Sequence, residues 1–547
     1  MRKLASILVS LALSGCLCTA AAAAQTEAQT ENAAQVEAGT LRIALTEQVI
    51  TMDVHRTTSD YLIPLNIYER LFDIRGMEDG SSRLVNGLAE DYSVSGDGRI
   101  YHFTLRGDAF FSDGTLVKAS DVAFTFTRML AMQESVQTDF ADLILGAGAV
   151  MEGKADKPEG IRVLDDRNLE IELSEPFAGY LSMLASPSCS ILSEAFVTKA
   201  GSEYGSSAEQ TIGSGPYRVT EFSKDRITME QNPYYHPHEG EQLSVKKAEV
   251  MVLPPALIDR TFQAGGLDIL DTNMINPDVV ESVYKSETWS SRLITRNKVE
   301  IQFLMLNVET RPLDNIKIRR AVQMAIDRQK ILDDLYGGDG TLLDGIYPEG
   351  LFGFSRENQG WLRYDPEEAK RLVQEVEDAG EIRLELAANS LSDVRKLTML
   401  EMIRKDLSEA GLNVTIVNYD GESLLYLRRA GKLMSYAGAW SADFNDPDNF
   451  IYTFFGSRYK TRYRSSNYSN MDVISRINNA RTIQNEQVRL KEYSDLERVL
   501  VRDEAVWVPL FSTDHLYVLG ERVEHFYPYW AGWISMYLSD VILKEGQ

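Results

Sequence analysis

The sequence predicts an α/β protein of more than one domain, on three observations. At 547 residues the chain exceeds what one hydrophobic core organises, so two or three domains are expected. With 44% hydrophobic and 25% charged residues, most of it can fold. From about residue 300 to 500, strand patterns alternate with helix patterns.

The folded body begins at "GTLRIAL" (39–45), where Leu41, Ile43 and Leu45 alternate as in a half-buried strand. Residues 97–130, "DGRIYHFTLRGDAFFSDGTLVKASDVAFTFTRML", read as a turn, an alternating strand and an apolar helix. "RNLEIELSEP" (167–176) is a further strand, ended by Pro176. "GSGPYRVTEF" (213–222) is a glycine-rich turn entering a strand, without the Lys-Ser/Thr pair and helix of a phosphate loop. After "RPLDN", Ile318, Ala321, Val322, Ala325 and Ile326 form one helical stripe. In "YDPEEAKRL", Asp365 caps, Pro366 opens the helix and Glu367 and Glu368 suit its positive end. Ala369, Leu372, Val373 and Val376 share its buried face, with Gly380 expected to stop it.

The N-terminus reads as an export signal over residues 1–24, with Arg2 and Lys3 ahead of a short apolar run. "LSGC" (13–16) resembles the lipobox of bacterial lipoproteins, which implies lipidation of Cys16 and a membrane anchor. The alternative is ordinary cleavage after about Ala24, leaving a periplasmic protein. Residues 25–38 form a flexible tether, and no later apolar stretch is long enough for a membrane-spanning helix. The mature protein is therefore expected outside the cytoplasm.

A formal net charge of -25 argues against nucleic acid or an anionic membrane surface as the main partner. Three cysteines, of which only Cys189 lies in the body, make no disulfide framework; Cys189 reads as a buried apolar thiol. The histidines are scattered, and His236 and His238 in "YYHPHEG" are too few for a closed metal site. No nucleophile elbow, zinc-protease or Walker pattern occurs. Neither a catalytic centre, a metal nor a cofactor is expected.

One stretch resists these readings. "GAWSADFNDPDNF" (438–450) holds Asp443, Asp446 and Asp448. As a calcium loop it fails: from Asp443, Pro447 falls at the fifth position and Asp448 where the glycine belongs. Asp446 before Pro447 reads as a helix N-cap, with Asp448 near the dipole's positive end. Asp443 follows "SYAGAWS", a strand pattern carrying Trp440. On its residues alone it is either a solvated turn aspartate, the simpler reading, or a counter-charge for a cation.

Several blocks together resemble the extracellular solute-binding proteins of the peptide/nickel group (family 5), which feed ABC importers. They are "NVETRPLDNIKIRRAVQMAIDR" (307–328), "FTLRGDAFFSDGTLVKASDV", "GSGPYRV", "YDPEEAKRL" and "WSADFNDPDNF", in the family's order. Lys118 stands where the family usually has threonine. Within the family the chain looks most like the oligopeptide and dipeptide binders, and "LEIELSEPFAGYLSMLASPSCSILSEAFV" resembles the oligopeptide-binding segment closely. The resemblance implies a two-lobed periplasmic-binding-protein-like clamshell of type II with an extra domain. Residues 40–75, 188–297 and 508–547 would form lobe I, 76–187 its extra domain, and 298–507 lobe II.

It also implies a function: capture of peptides in the interlobe cleft, without catalysis, and delivery to a permease driven by cytoplasmic ATPases, the binding protein being a monomer. Other family cargoes are nickel chelates, haem, opines and oligosaccharides, and the same fold also suits a surface receptor or chaperone. In the oligopeptide binders the block matching Trp440, Ser441, Ala442 and Asp443 holds the peptide's N-terminus, which assigns Asp443 to its ammonium. Arg428 falls near an arginine of the family's carboxylate site, while Ala437 replaces a second. The basic run "SRYKTRYRS" (457–465) reads as solvated surface, with a carboxylate contact as the alternative. Residues 58–61, including Tyr61, and the loop around Asp271 are expected to border the ligand from the other lobe.

Overall fold

A computed structural model describes residues 37–57, 61–76, 82–238, 241–378, 380–389, 394–532 and 535–544. The longest sheet orders strands Ile269–Asp271, Trp507–Leu519, Glu300–Leu306, Ser435–Ser441, Arg383–Asn389 and Asn413–Tyr419. Leu293–Asn297 and Gly340–Leu342 also pair with Trp507–Leu519. That strand therefore serves two neighbourhoods. Trp507 to Phe511 lie against Glu300–Leu306, whereas Asp514 to Val518 lie against Leu293–Asn297. Where the chain passes from one to the other, the Ser512 hydroxyl donates to the Lys298 carbonyl at 2.9 Å.

Two further four-stranded sheets flank this spine. One joins Thr40–Leu45, Lys247–Val252, Arg226–Gln231 and Tyr217–Phe222. The other joins Ala89–Val94, Ile100–Leu105, Asn168–Glu172 and Ile161–Val163. Ile100–Leu105 alternates between half-buried and buried positions, as the sequence predicts, and helix Ala119–Ala131 buries Val122, Phe126 and Met129. The stripe from Ile318 to Ile326 is wholly buried; the helix itself spans Ile316–Ala325. Asp365 caps helix Pro366–Gln374 by accepting from the Glu368 amide at 3.0 Å.

Three local expectations are corrected. Thr40–Leu45 is not half-buried: Thr40 and Arg42 are buried with the apolar residues, because Arg42 meets the Asp268 carboxylate through Nη2 at 2.9 Å and Nε at 3.2 Å. The helix after Asp365 ends at Gln374, well before Gly380. A Cβ on Gly380 would stand 2.8 Å from the Gly411 carbonyl, so that glycine serves a close backbone approach. The helix expected to begin at Pro447 spans Asp448–Phe455, with Pro447 as its cap residue. Asp446 still accepts from the Asp448 amide at 2.9 Å, but one position further out.

Apolar packing is continuous beneath Ser435–Ser441. Phe303 stacks on Trp507 with 4.1 Å between centroids, and Phe454 meets both Trp507 and Trp440 edge to face. Cys189 is buried and unpaired in the same cluster. No described helix is long and apolar enough to cross a membrane.

Candidate functional site

The site grows from the end of the Ser435–Ser441 strand, whose limits coincide with the predicted "SYAGAWS". Ser441 pairs with Glu300 in the ladder, and its hydroxyl donates to Glu300 Oε2 at 2.8 Å. Ala442 is fully buried and its amide donates to the Val299 carbonyl at 3.0 Å. These two residues anchor the strand end to the segment where the chain crosses between its two neighbourhoods. Asp443 is the first residue beyond that anchor.

Its geometry is fixed by Asn449, in the first turn of helix Asp448–Phe455. Asn449 Oδ1 accepts from Trp440 Nε1 at 3.1 Å and from the Asp443 amide at 3.0 Å, while Nδ2 donates to Asp443 Oδ2 at 3.1 Å. One carboxamide thus holds the indole, the backbone and the carboxylate in register. Among the described residues no cation pairs with Asp443. Burial pushes its carboxyl up to about 6, with Asn449 and Arg464 acting the other way and Asp139 reinforcing the rise.

Asp443 faces a cavity of about 520 Å³. Trp440, Asn449, Tyr452 and Arg464 line it with Asp443, and Asp139, Phe140, Asp142 and Met183 face them. Asp142 is open to solvent on one side, yet desolvation, and then Asp139, lift its carboxyl to about 6 against Lys460 and Arg481. A cavity of this size suits a small organic ligand. Its chemistry is that of paired opposites, with a fixed carboxylate beside an indole and cations a short way along the same wall.

The other expected site residues separate. Tyr61 is buried, with its hydroxyl 3.1 Å from Ser188 Oγ and accepting from Gln137 Nε2 at 3.0 Å. Burial raises its phenol, and Asp443 adds to the rise, so the two are within electrostatic reach. Asp271 does not share the cavity. Its carboxylate caps the turn Thr272–Met274, accepting from Asn273 N and Nδ2, both at 2.8 Å, and it lines a separate space of about 20 Å³. The structure thus gives it a capping role and does not bring it together with Asp443. Arg428 stands in the last turn of helix Gly421–Arg429, outside the cavity lining but close enough to depress the Arg464 guanidinium. Residues 58–60 and Cys16 lie outside the described residues.

The basic run divides, which corrects its reading as solvated surface. Arg458 and Arg462 are exposed, and Arg458 pairs with Glu309 at 3.0 Å. Lys460 and Arg464 instead line the cavity. Arg458 and Arg462 share the same i, i+4 spacing, so no local pattern in the sequence separates the two pairs. Asn449, Asp139 and Asp142 carry no such signal either. The acidic stretch divides as well: Asp446 meets Arg489 at 2.5 Å and Asp448 meets Arg481 at 3.1 Å, with both aspartates and Arg489 buried and Arg481 half-buried. Neither aspartate is simply a helix start.

Comparison with known proteins fits this architecture. Residues 83–462 match the family described as Bacterial extracellular solute-binding proteins, family 5 Middle. The chain is 28% identical over 423 residues to the dipeptide-binding protein of Escherichia coli, covering 74% of this chain and 75% of that one. It is 25% identical over 478 residues to haem-binding protein A of Haemophilus influenzae, covering 84% of each. Among solved structures, a periplasmic murein tripeptide binding protein in its unliganded open form superposes with a TM-score of 0.78 at 20% identity, over 93% of this chain and 98% of that one. With it the chain shares the two-lobed α/β clamshell of periplasmic binding proteins. A family match across most of the chain, a shared fold and a polar cavity between facing walls lead to one conclusion: this protein belongs to family 5 of the bacterial extracellular solute-binding proteins.

Proposed function

We propose that the protein captures short peptides outside the cytoplasm and passes them to the permease of an ABC importer. The observation that carries this reading is Asp443, a carboxylate fixed by Asn449 in a cavity of about 520 Å³ with no cation paired to it among the described residues. Such a group is suited to an α-ammonium that leaves water on binding, because a buried ammonium is tolerable only against a hydrogen-bonded carboxylate. Relatives named as dipeptide and di/tripeptide binders support the same cargo.

The lobes we assign are residues 40–75, 188–297 and 508–547, with 76–187 as the extra domain, against 298–507. The Trp507–Leu519 strand and the Asn297 to Glu300 segment would be the hinge, since each serves both sides. A ligand touching both walls favours the closed form. Cys16 would hold the mature chain at the membrane by its lipid, where a monomer meets the transporter.

The test is calorimetry with a pool of dipeptides, tripeptides and tetrapeptides. Removing one partner of a buried pair costs about 3–5 kcal/mol, so Asp443→Asn should lower affinity several hundred-fold or more while the fold persists. N-acetylated peptides should bind the unaltered protein as weakly. Undiminished binding of acetylated ligands would rule out ammonium recognition and point to another cargo of the family.

A further inference from the structure

A second cavity, of about 490 Å³, shares no lining residue with the one that holds Asp443. Phe444 lines the first, while Asn445 and Asp446 line the second, so this stretch of chain is the partition. Residues 177–179 meet it there. Phe177 packs edge to face on Phe444 at 6.2 Å, and the Ala178 amide donates to the Arg481 carbonyl at 3.1 Å. A Cβ on Gly179 would stand 3.0 Å from the Asp446 carboxylate. Two further bridges frame the second cavity. Asn445 Nδ2 donates to Ser82 Oγ at 2.7 Å, and Ser82 Oγ donates to the Gly350 carbonyl at 3.0 Å. Gln484 packs so closely on Gly98 that a Cβ there would collide with its carboxamide. The cavity therefore sits at a seam between residues 74–182 and residues 352–489, the kind of junction where small-molecule sites form.

One wall of it is apolar and aromatic. Ile74 and Leu84 are register partners, as are Val94 and Tyr101, and Tyr92 lies two places before Val94 on the same strand face. Phe352 lines the cavity from across the seam. Tyr92 is 40% exposed and Val94 38%, so this wall stays open to water. The polar lining has more donors than acceptors. Among the described residues Arg83 makes no hydrogen bond or ion pair. Arg489 commits Nη2 to Asp446, but its Nε is buried without a partner. Asp446 is already held by Arg489 and by the Asp448 amide. Glu486, the other lining carboxylate, is exposed at the start of helix Glu486–Arg498 and pairs with no described cation. A buried donor without an acceptor is unfavourable, and a guanidinium matches a carboxylate bidentately. Aromatic rings in turn pack well on other rings. We propose that this cavity is a second binding site, for a small aromatic carboxylate whose ring lies against Tyr92, Val94 and Tyr101 and whose anion Arg83 receives, with Arg489 as the second charge. The site does not depend on the peptide reading above.

The probes are cinnamate, its neutral counterpart cinnamamide, and acetate as an anion without a ring. Binding is followed by ligand-observed NMR titration and calorimetry, with no peptide present. Cinnamate should bind the unaltered protein saturably at one site, cinnamamide about 5- to 10-fold more weakly, and acetate without saturation. Val94→Trp fills the cavity from an exposed position and should lower cinnamate affinity by about 30-fold or more. Arg83→Gln should lower it by about 5-fold and abolish the preference for acid over amide, whereas a merely structural role would weaken both probes alike. Glu486→Gln removes a like charge and should strengthen cinnamate by about 2- to 4-fold. No saturable binding of cinnamate would overturn the site. Unchanged affinity in Val94→Trp would also overturn it, by placing the probe elsewhere. Cinnamamide bound as tightly as cinnamate would overturn the anionic class, and acetate bound as tightly would overturn the aromatic one. The comparison of probes uses the unaltered protein, so it stands even where a variant does not fold.

Discussion

Asp443 and the pair Asp446 and Asp448 share one short stretch of chain, yet the protein treats them in opposite ways. Asp446 and Asp448 are neutralised internally, by Arg489 at 2.5 Å and Arg481 at 3.1 Å, with the Tyr493 hydroxyl donating to Asp448 at 2.9 Å. Among the described residues Asp443 has hydrogen bonds to the Asn449 carboxamide alone, from its carboxylate and its own amide, and no ion pair. The two paired carboxylates hold the helix that carries Asn449; the third is left to meet whatever enters the cavity. A buried carboxylate with its own arginine is structural. We read the one without such a partner as the ligand's.

The largest effect should come from breaking the structural side. Arg489 is 3% exposed and Asp446 2%, so Arg489→Ala leaves a buried carboxylate without its cation and should cost about 3–5 kcal/mol. The thermal midpoint should fall by several degrees. Replacing both partners with apolar residues, Arg489→Met with Asp446→Leu, should recover much of the loss, because no unpaired charge remains. An unchanged midpoint in the single variant would break the comparison at its root.

Next comes the carboxamide that joins the two regions. Asn449→Ala leaves the Trp440 Nε1 and the Asp443 amide without their acceptor and frees the carboxylate to rotate. An unsatisfied buried group costs about 1–3 kcal/mol, so peptide affinity should fall by about 5- to 150-fold. In an Asp443→Asn background the same change should do little more, since Asn449 acts through Asp443. Additive losses in the double variant would give Asn449 an independent contact with the ligand.

This contrast also explains what was readable from the chain alone. The helix stripe at Ile318 to Ile326 and the alternation of Ile100–Leu105 were legible because local periodicity reports burial directly. Thr40–Leu45 was misread because its polar residues are buried through Arg42 and Asp268, which lie 226 residues apart in sequence. Asp446 and Asp448 looked like a helix start for the same reason: their arginines lie on later helices, and no local spacing announces them. Arg464 was hidden in a basic run, and only the aromatic floor of Trp440 and Phe454 separates it from its solvated neighbours. Asp443 was singled out through family resemblance, while its lack of an ion pair among the described residues is a property of the folded surroundings. Tertiary pairing, unlike periodicity, leaves no mark on nearby residues.

The smallest effect is also the one that isolates Asp443 from every other acid. Its carboxyl sits at about 6 in the unliganded protein because burial disfavours the charge, against about 3.9 in an unfolded chain. Between those values the folded form holds a proton that the unfolded form has released, so stability falls as pH rises through the window and stays lower above it. Asp443→Asn removes that penalty. The variant should match the unaltered protein below about pH 4 and exceed it by at most about 3 kcal/mol above pH 6, read from denaturant melts. Glu497, at about 7, and Asp514, at about 6, titrate nearby, but they are common to both proteins and cancel in the difference. Peptide affinity should run the other way, falling as the pH drops below 6 and the carboxylate takes up its proton. A variant no more stable than the unaltered protein at pH 7 would mean that Asp443 is already compensated, and the contrast with Asp446 and Asp448 would disappear.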